Sequence, residues 1–117
     1  KDIFQDCLVL YPESVWNEQM DTLRGKLNRY NAQHQKIFRQ FVSEVEMTAL
    51  DGNGRFLIPK RYLQMAGIQQ NIKFIGMGDT IEIWANEKVE ESKMDGEEFG
   101  QALESIMTQD SAAGETY

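Results

Sequence analysis

Residues 51–54 read Asp-Gly-Asn-Gly. Two glycines there are free to take the positive φ that a tight reversal needs, and Asp and Asn can bond their own backbone. The reversal joins two runs with strand character. Before it, Val45, Met47 and Ala49 alternate with Glu46, Thr48 and Leu50, the period of a half-buried strand. After it, Arg55, Phe56, Leu57 and Ile58 form the return strand, closed by Pro59. The spacing predicts a β-hairpin around which the remaining elements must be arranged.

Those elements follow from local pattern. Cys7–Tyr11 is a short apolar run that reads as a buried strand, and Pro12 suits the first position of a helix. Trp16, Met20, Leu23 and Leu27 recur at spacings of four, three and four, one helical stripe facing a core, with Gly25 marking its frayed end. A second helix is expected from Asn31 to Ser43. Tyr30, His34, Ile37, Phe38, Phe41 and Val45 share one of its faces, and Arg29, Lys36 and Arg39 the other. Lys60–Ala66 is a short helix with Gly67 as its C-cap. Ile72–Met77 and Thr80–Trp84 flank a Gly78-Asp79 turn as a second hairpin. A helix is expected from Asn86, broken at Asp95-Gly96, and Phe99, Leu103, Ile106 and Met107 mark a final amphipathic helix. Residues after Thr108 are small and polar and are expected to lack fixed structure.

An internal repeat organises the chain. Leu8–Tyr11 and the helix after it match Ile81–Trp84 and the helix after that, at an offset of 73 residues. Each copy is an apolar strand ending in an aromatic and running into a helix. The second copy is preceded by the hairpin, short helix and strand of residues 45–80, whereas only seven residues precede the first. The expectation is therefore a chain lacking most of its first repeat, and a first residue that is Lys1 and not Met agrees.

A net charge of -7 argues at first against nucleic acid. The charge is local, however. Residues 85–117 hold two lysines and nine acids, and residues 1–84 hold ten basic and ten acidic residues. Gly52–Gly78 contains no acid but carries Arg55, Lys60, Arg61 and Lys73. Arg24–Ser43 contains no acid and carries Arg24, Lys26, Arg29, Lys36 and Arg39. Two acid-free basic blocks in an acidic chain are the electrostatic footprint of phosphate contact. Arg55, following a tight turn, is held near a protruding tip, and its guanidinium suits guanine O6 and N7 or a phosphate fork.

The segment Asp51-Gly52-Asn53-Gly54-Arg55-Phe56-Leu57-Ile58-Pro59 resembles the Asp-x-x-Gly-Arg-x-x-Ile-Pro pattern of AbrB-type swapped-hairpin DNA-binding domains. The two-repeat layout, the Leu10-Tyr11-Pro12 step, the helix ending in Phe38–Val42 before Glu46, and Gly76-Met77-Gly78-Asp79 before Ile81–Trp84 resemble one family more closely, the bacterial MraZ transcriptional regulators. The resemblance covers residues 8 to 107. It implies an α+β fold with a swapped-hairpin β-barrel element and flanking helices, two intertwined repeats, and ring-forming homo-oligomers in the cytoplasm and nucleoid. It also implies binding to double-stranded promoter repeats of the division and cell-wall gene cluster. On that basis Arg55 is the DNA-contacting residue and Asp51 and Gly54 fix the turn; Lys60 and Arg61, at the adjacent helix start, are weaker phosphate candidates by charge and proximity. The expected division is a first-repeat remnant over 1–27, a connecting helix over 28–43, the second repeat over 44–94, and a C-terminal helix with an acidic tail over 95–117. With half of the paired motif missing, weak or absent specific binding is expected of the 117-residue chain alone.

Plainer readings stand beside these. Asp51–Arg55 also reads as an ordinary hairpin turn with Asp51 paired to Arg55. Arg29, Lys36 and Arg39 also read as a solvated helix face or a subunit contact. His34, in mid-stripe, reads as a core or interface histidine, and Cys7 as a buried small hydrophobe. One histidine and one distant cysteine do not supply a metal site. No Ser-His-Asp arrangement and no tuned carboxylate pair point to catalysis. No enzyme, cofactor, metal, membrane or small-molecule substrate is expected. The rival functions are an assembly module without a DNA role and an AbrB-type antitoxin.

Overall fold

A computed structural model describes residues 1–112, with side chains to Gln109. The elements run β1 (Leu8–Leu10), α1 (Glu13–Lys26), α2 (Ala32–Ser43), α3 (Lys60–Met65), β2 (Ile72–Gly76), β3 (Ile81–Ala85), α4 (Lys88–Glu91) and α5 (Gly96–Ala112). The fold is mixed helix and sheet.

The two matched copies of the sequence repeat meet at the centre of the sheet. Its strand order is β1-β3-β2, all antiparallel. β1 and β3 pair as Leu8↔Ile83, Val9↔Glu82 and Leu10↔Ile81. Val9 and Glu82 are equivalent positions of the repeat, so the pairing is symmetric about the midpoint between them. β2 and β3 form the expected hairpin over Gly78-Asp79, closed by Met77 N–H on the Thr80 carbonyl at 2.8 Å, with Gly78 at φ 92°.

Each face of the sheet carries a part of the core around β1 and β3, as their alternation requires, while most of β2 stays exposed. On one face Leu8 and Ile83 meet Tyr62 and Ala66 of the α3 segment, with Leu10, Phe56, Ile58, Met65 and Ile68 packed around them. On the other, Cys7, Trp84 and Val89 cluster with Val9 and Ile75. α3 ends in a Schellman arrangement. Gly67 takes φ 65° and its N–H donates to Gln64, while the Ile68 N–H donates to Leu63. α2 starts at Asn31, whose side-chain oxygen accepts the N–H groups of Gln33 and His34. Asp95 does the same for α5 through Glu97 N–H. The expected helix break at Asp95-Gly96 is thus a helix start. Before it, a turn at Asn86 leads into the four residues of α4.

Other expectations are corrected. The runs 45–50 and 55–59 carry no ladder, and among the described residues no closed barrel forms; the sheet is open with three strands. The 51–54 turn does reverse the chain, but its arms find no strand partner and are anchored by side chains instead. Met47 and Leu57 stand more than four-fifths exposed. The stripe of α2 is only partly covered. Phe38 and Phe41 are half-buried, whereas Ile37, Tyr30 and Val45 are exposed, because α1 meets α2 chiefly through one aromatic stack of Trp16 on Phe41. α5 continues to Ala112, past Thr108, and the rest of the expected unstructured tail lies outside the described residues.

Candidate nucleic-acid interface

The tip of the 51–55 reversal is built by one carboxylate. Asp51 Oδ1 accepts the N–H groups of Asn53 at 2.8 Å and Arg55 at 2.9 Å. The backbone closes the loop, with Asp51 N–H on the Arg55 carbonyl at 2.8 Å and Gly54 N–H on the Asp51 carbonyl at 3.0 Å. Gly54 sits at φ 74°, the left-handed conformation that glycine takes without strain. Asp51 Oδ2 lies 3.3 Å from Arg55 Nε. The Arg55 and Asn53 N–H groups hold the Asp51 carboxyl below its ordinary range, and the Arg55 side chain adds to this.

Arg55 is therefore oriented from behind. Its pair to Asp51 runs through Nε, and its side chain is 75% exposed. A guanidinium fixed at Nε leaves a fork for an outside partner, which is what bidentate readout of a base edge or a phosphate requires. Phe56 and Ile58 turn inward onto the sheet core while Leu57 turns outward, so the arm behind Arg55 is anchored at alternate residues.

The other basic candidates differ from one another. Lys60 is exposed, and no ion pair involves it among the described residues. Arg61 is occupied. Its Nη2 lies 3.1 Å from Glu46 Oε2 and 3.2 Å from the Tyr62 hydroxyl, and its guanidinium stands 4.8 Å from the Tyr62 ring centroid. Tyr62, together with Glu46, pushes the Arg61 pKa above the ordinary arginine value. Tyr62 in turn donates its hydroxyl to the Glu44 carbonyl. Tyr62 and Arg61 thus pin the first arm of the reversal to α3. Sequence reasoning did not single out Tyr62 or the Glu46–Arg61 pair; a partner 15 residues away has no local signature.

On α1 and α2, Arg24 pairs with Asp21, while Arg29, Lys36 and Arg39 are exposed without an ion pair among the described residues. His34 is half-buried, and its Nδ1 accepts the Asn28 N–H at 2.9 Å, so it fastens the corner between the two helices. Cys7 is fully buried. Burial, then Glu82 and Asp2, push its thiol up to about 11. Among the described residues no cluster of His, Cys, Asp and Glu is placed to hold a metal, and no helix is long and apolar enough to cross a membrane.

The described residues thus form a mixed helix-and-sheet protein with an open three-stranded antiparallel sheet and an exposed arginine on an acid-fixed, glycine-rich turn. Comparison with known proteins identifies its family. The family model for MraZ protein, which its description calls antitoxin-like, matches residues 41–98. The protein named Transcriptional regulator MraZ of Phocaeicola vulgatus is 65% identical over 107 residues, covering 92% of this chain and 70% of that one. Its namesake in Bacteroides fragilis is 62% identical over 110 residues, covering 94% and 70%. In Christiangramia forsetii the identity is 35% over 113 residues, covering 96% and 72%. The chain belongs to the MraZ family.

Proposed function

We propose that the chain is the greater part of a sequence-specific DNA-binding transcriptional regulator acting on the promoter of the division and cell-wall gene cluster. Hairpin arginines, repeated around a homo-oligomer, contact double-stranded promoter repeats. The observation that carries this reading is Arg55, held by Asp51 at the tip of the reversal with its fork exposed. Arg55 reads a base edge, Asp51 and Gly54 fix the turn, and Lys60 lies on the same acid-free segment as a phosphate contact. Arg61 reaches a phosphate only by leaving Glu46, so its first role is to brace the arm. The relatives named transcriptional regulators support this class.

Four parts share the work. Residues 1–27 hold what remains of the first repeat, 28–43 connect, 44–94 form the second repeat, and 95–117 carry the acidic helix and tail. The unpaired arms around the turn are completed by the corresponding hairpin of the other repeat, which closes the barrel element. The protein acts in the cytoplasm, on the nucleoid, without a cofactor and without catalysis.

One arginine contributes about 1–3 kcal/mol of base discrimination, too little to define a site, and repetition in an oligomer supplies the rest. A mobility-shift titration of the full-length protein on promoter DNA tests this. Arg55→Ala is expected to weaken specific binding at least about tenfold, and the affinity of the parent protein is expected to fall steeply with salt. Unchanged affinity in Arg55→Ala at physiological salt removes the base contact, and absence of any salt dependence removes the phosphate contacts.

The antitoxin reading is favoured by one observation, the acid-rich helix α5 beside a family described as antitoxin-like. Capture of a basic toxin that survives Arg55→Ala and is lost with α5 is the result expected of it.

A further inference from the structure

The tip of the reversal holds the one Asn-Gly step of the chain, Asn53-Gly54. Such a step is chemically labile. The side-chain carboxamide lies within reach of the next backbone nitrogen, and a glycine there has no Cβ to obstruct the approach. Asn17, Asn28, Asn31, Asn71 and Asn86 precede glutamate, arginine, alanine, isoleucine and glutamate, each of which carries a Cβ beside that nitrogen.

The surroundings single out the same residue. Asn53 is exposed, and no hydrogen bond engages its carboxamide among the described residues. The space beside Gly54 is open. Asp51-Gly52 and Asp95-Gly96 share the spacing but not the reactivity, because an ionised carboxylate is a poor electrophile. The Arg55 and Asn53 N–H groups hold Asp51 in that form. What restrains Asn53 is the turn. Gly54 N–H donates to the Asp51 carbonyl at 3.0 Å, and Asn53 N–H to Asp51 Oδ1 at 2.8 Å. While these bonds hold, the attacking nitrogen is occupied.

We propose that Asn53-Gly54 is a self-modification site, whose deamidation is gated by the Asp51 turn and sets a carboxylate beside Arg55. When the turn opens, the Gly54 nitrogen attacks Asn53 Cγ. A C–N bond forms, and the bond from Cγ to the side-chain nitrogen breaks. That nitrogen leaves as ammonia, taking up through solvent the proton that Gly54 N–H gives up. Water then opens the five-membered imide at either carbonyl, leaving aspartate or isoaspartate at residue 53. The segment Gly52–Gly78, which has no acid, gains one two residues before Arg55. The new charge competes for the guanidinium and repels a phosphate. Isoaspartate also lengthens the main chain by a carbon, which displaces the Arg55 N–H from Asp51 Oδ1. The modification stands on the chain alone; its effect on DNA rests on the proposed function.

The test is peptide mapping by mass spectrometry of the full-length protein held at neutral pH, with chromatography to separate aspartate from isoaspartate. Residue 53 is expected to convert before Asn17, Asn28, Asn31, Asn71 or Asn86, to give both products, and to convert several-fold faster in Asp51→Ala. Earlier conversion at another of these asparagines overturns the proposal, and so does an equal rate in Asp51→Ala. The effect is read by mobility shift on promoter DNA. Asn53→Asp is expected to lose affinity several-fold, and Asn53→Gln, which keeps the amide and closes an imide ring far less readily, to retain it. Full affinity in Asn53→Asp where Arg55→Ala binds weakly overturns the effect on the tip. Full affinity in both variants overturns the DNA contact of the proposed function instead, and the mass map then decides the modification by itself.

Discussion

At Asp51, Oδ1 takes two backbone N–H groups while Oδ2 faces the Arg55 guanidinium, so order at the tip depends on ionisation. The folded carboxyl titrates below its ordinary value, so its stabilisation is present above the unfolded pKa and is lost as pH falls through the folded one. Amide exchange at Asn53 and Arg55 is therefore expected to quicken below the ordinary carboxylate range. Asp51→Ala is expected to bring the same loss at neutral pH. Asp51→Asn, which keeps an acceptor oxygen, is expected to retain the turn while freeing Arg55. Gly54→Ala meets open space but not a permissive backbone, since φ is 74°. It is expected to cost about 1–2 kcal/mol, read as faster exchange confined to residues 51–55. Cys7 is expected to resist alkylation at pH 8 until the chain unfolds, because burial raises its pKa to about 11. Asp51, Gly54 and Cys7 were legible in the sequence because their surroundings lie within a few residues of them. The tie of Arg61 to Glu46 was not, because it depends on where α3 lands against the first arm.

Among the elements, local signals decided what could be read. β1, the β2–β3 hairpin, α3 with its Gly67 cap and the start of α2 at Asn31 all carry their instructions in contiguous residues. The arms of the reversal carry strand periodicity too, but a ladder needs a second backbone in register, and none is offered to them within the described residues. Periodicity reports which face a strand would bury, not whether a partner exists. The stripe of α1 and α2 shows a similar gap. Trp16 stands edge-on to Tyr11 at 5.2 Å and stacks on Phe41 at 5.7 Å, and this short ladder of rings joins the two helices. Aromatic pairs contribute about 0.5–1.5 kcal/mol each beyond burial. Trp16→Ala is expected to cost about 2 kcal/mol in urea unfolding. It is also expected to release the 27–31 corner, seen as lost protection of the Asn28 amide that His34 now holds.

The whole chain is open. Its radius of gyration is 17.7 Å, against about 13 Å for a compact domain of this length. Among the described residues nine hydrophobic residues are buried; eight lie at or beside the sheet, and the ninth is Met20 on α1. An open chain with apolar faces to spare is expected to associate, and its melting temperature is expected to rise with protein concentration. The β1–β3 pairing has a further consequence, for folding in time. Leu8 cannot find Ile83 until 74 intervening residues have left the ribosome, so the centre of the core is closed by a contact distant in sequence. Loop-closure entropy falls on that step, and topology of this kind slows folding. During synthesis α1 and α2 emerge before β3, and until β3 arrives Leu8, Val9 and Leu10 lack the strand with which they pair.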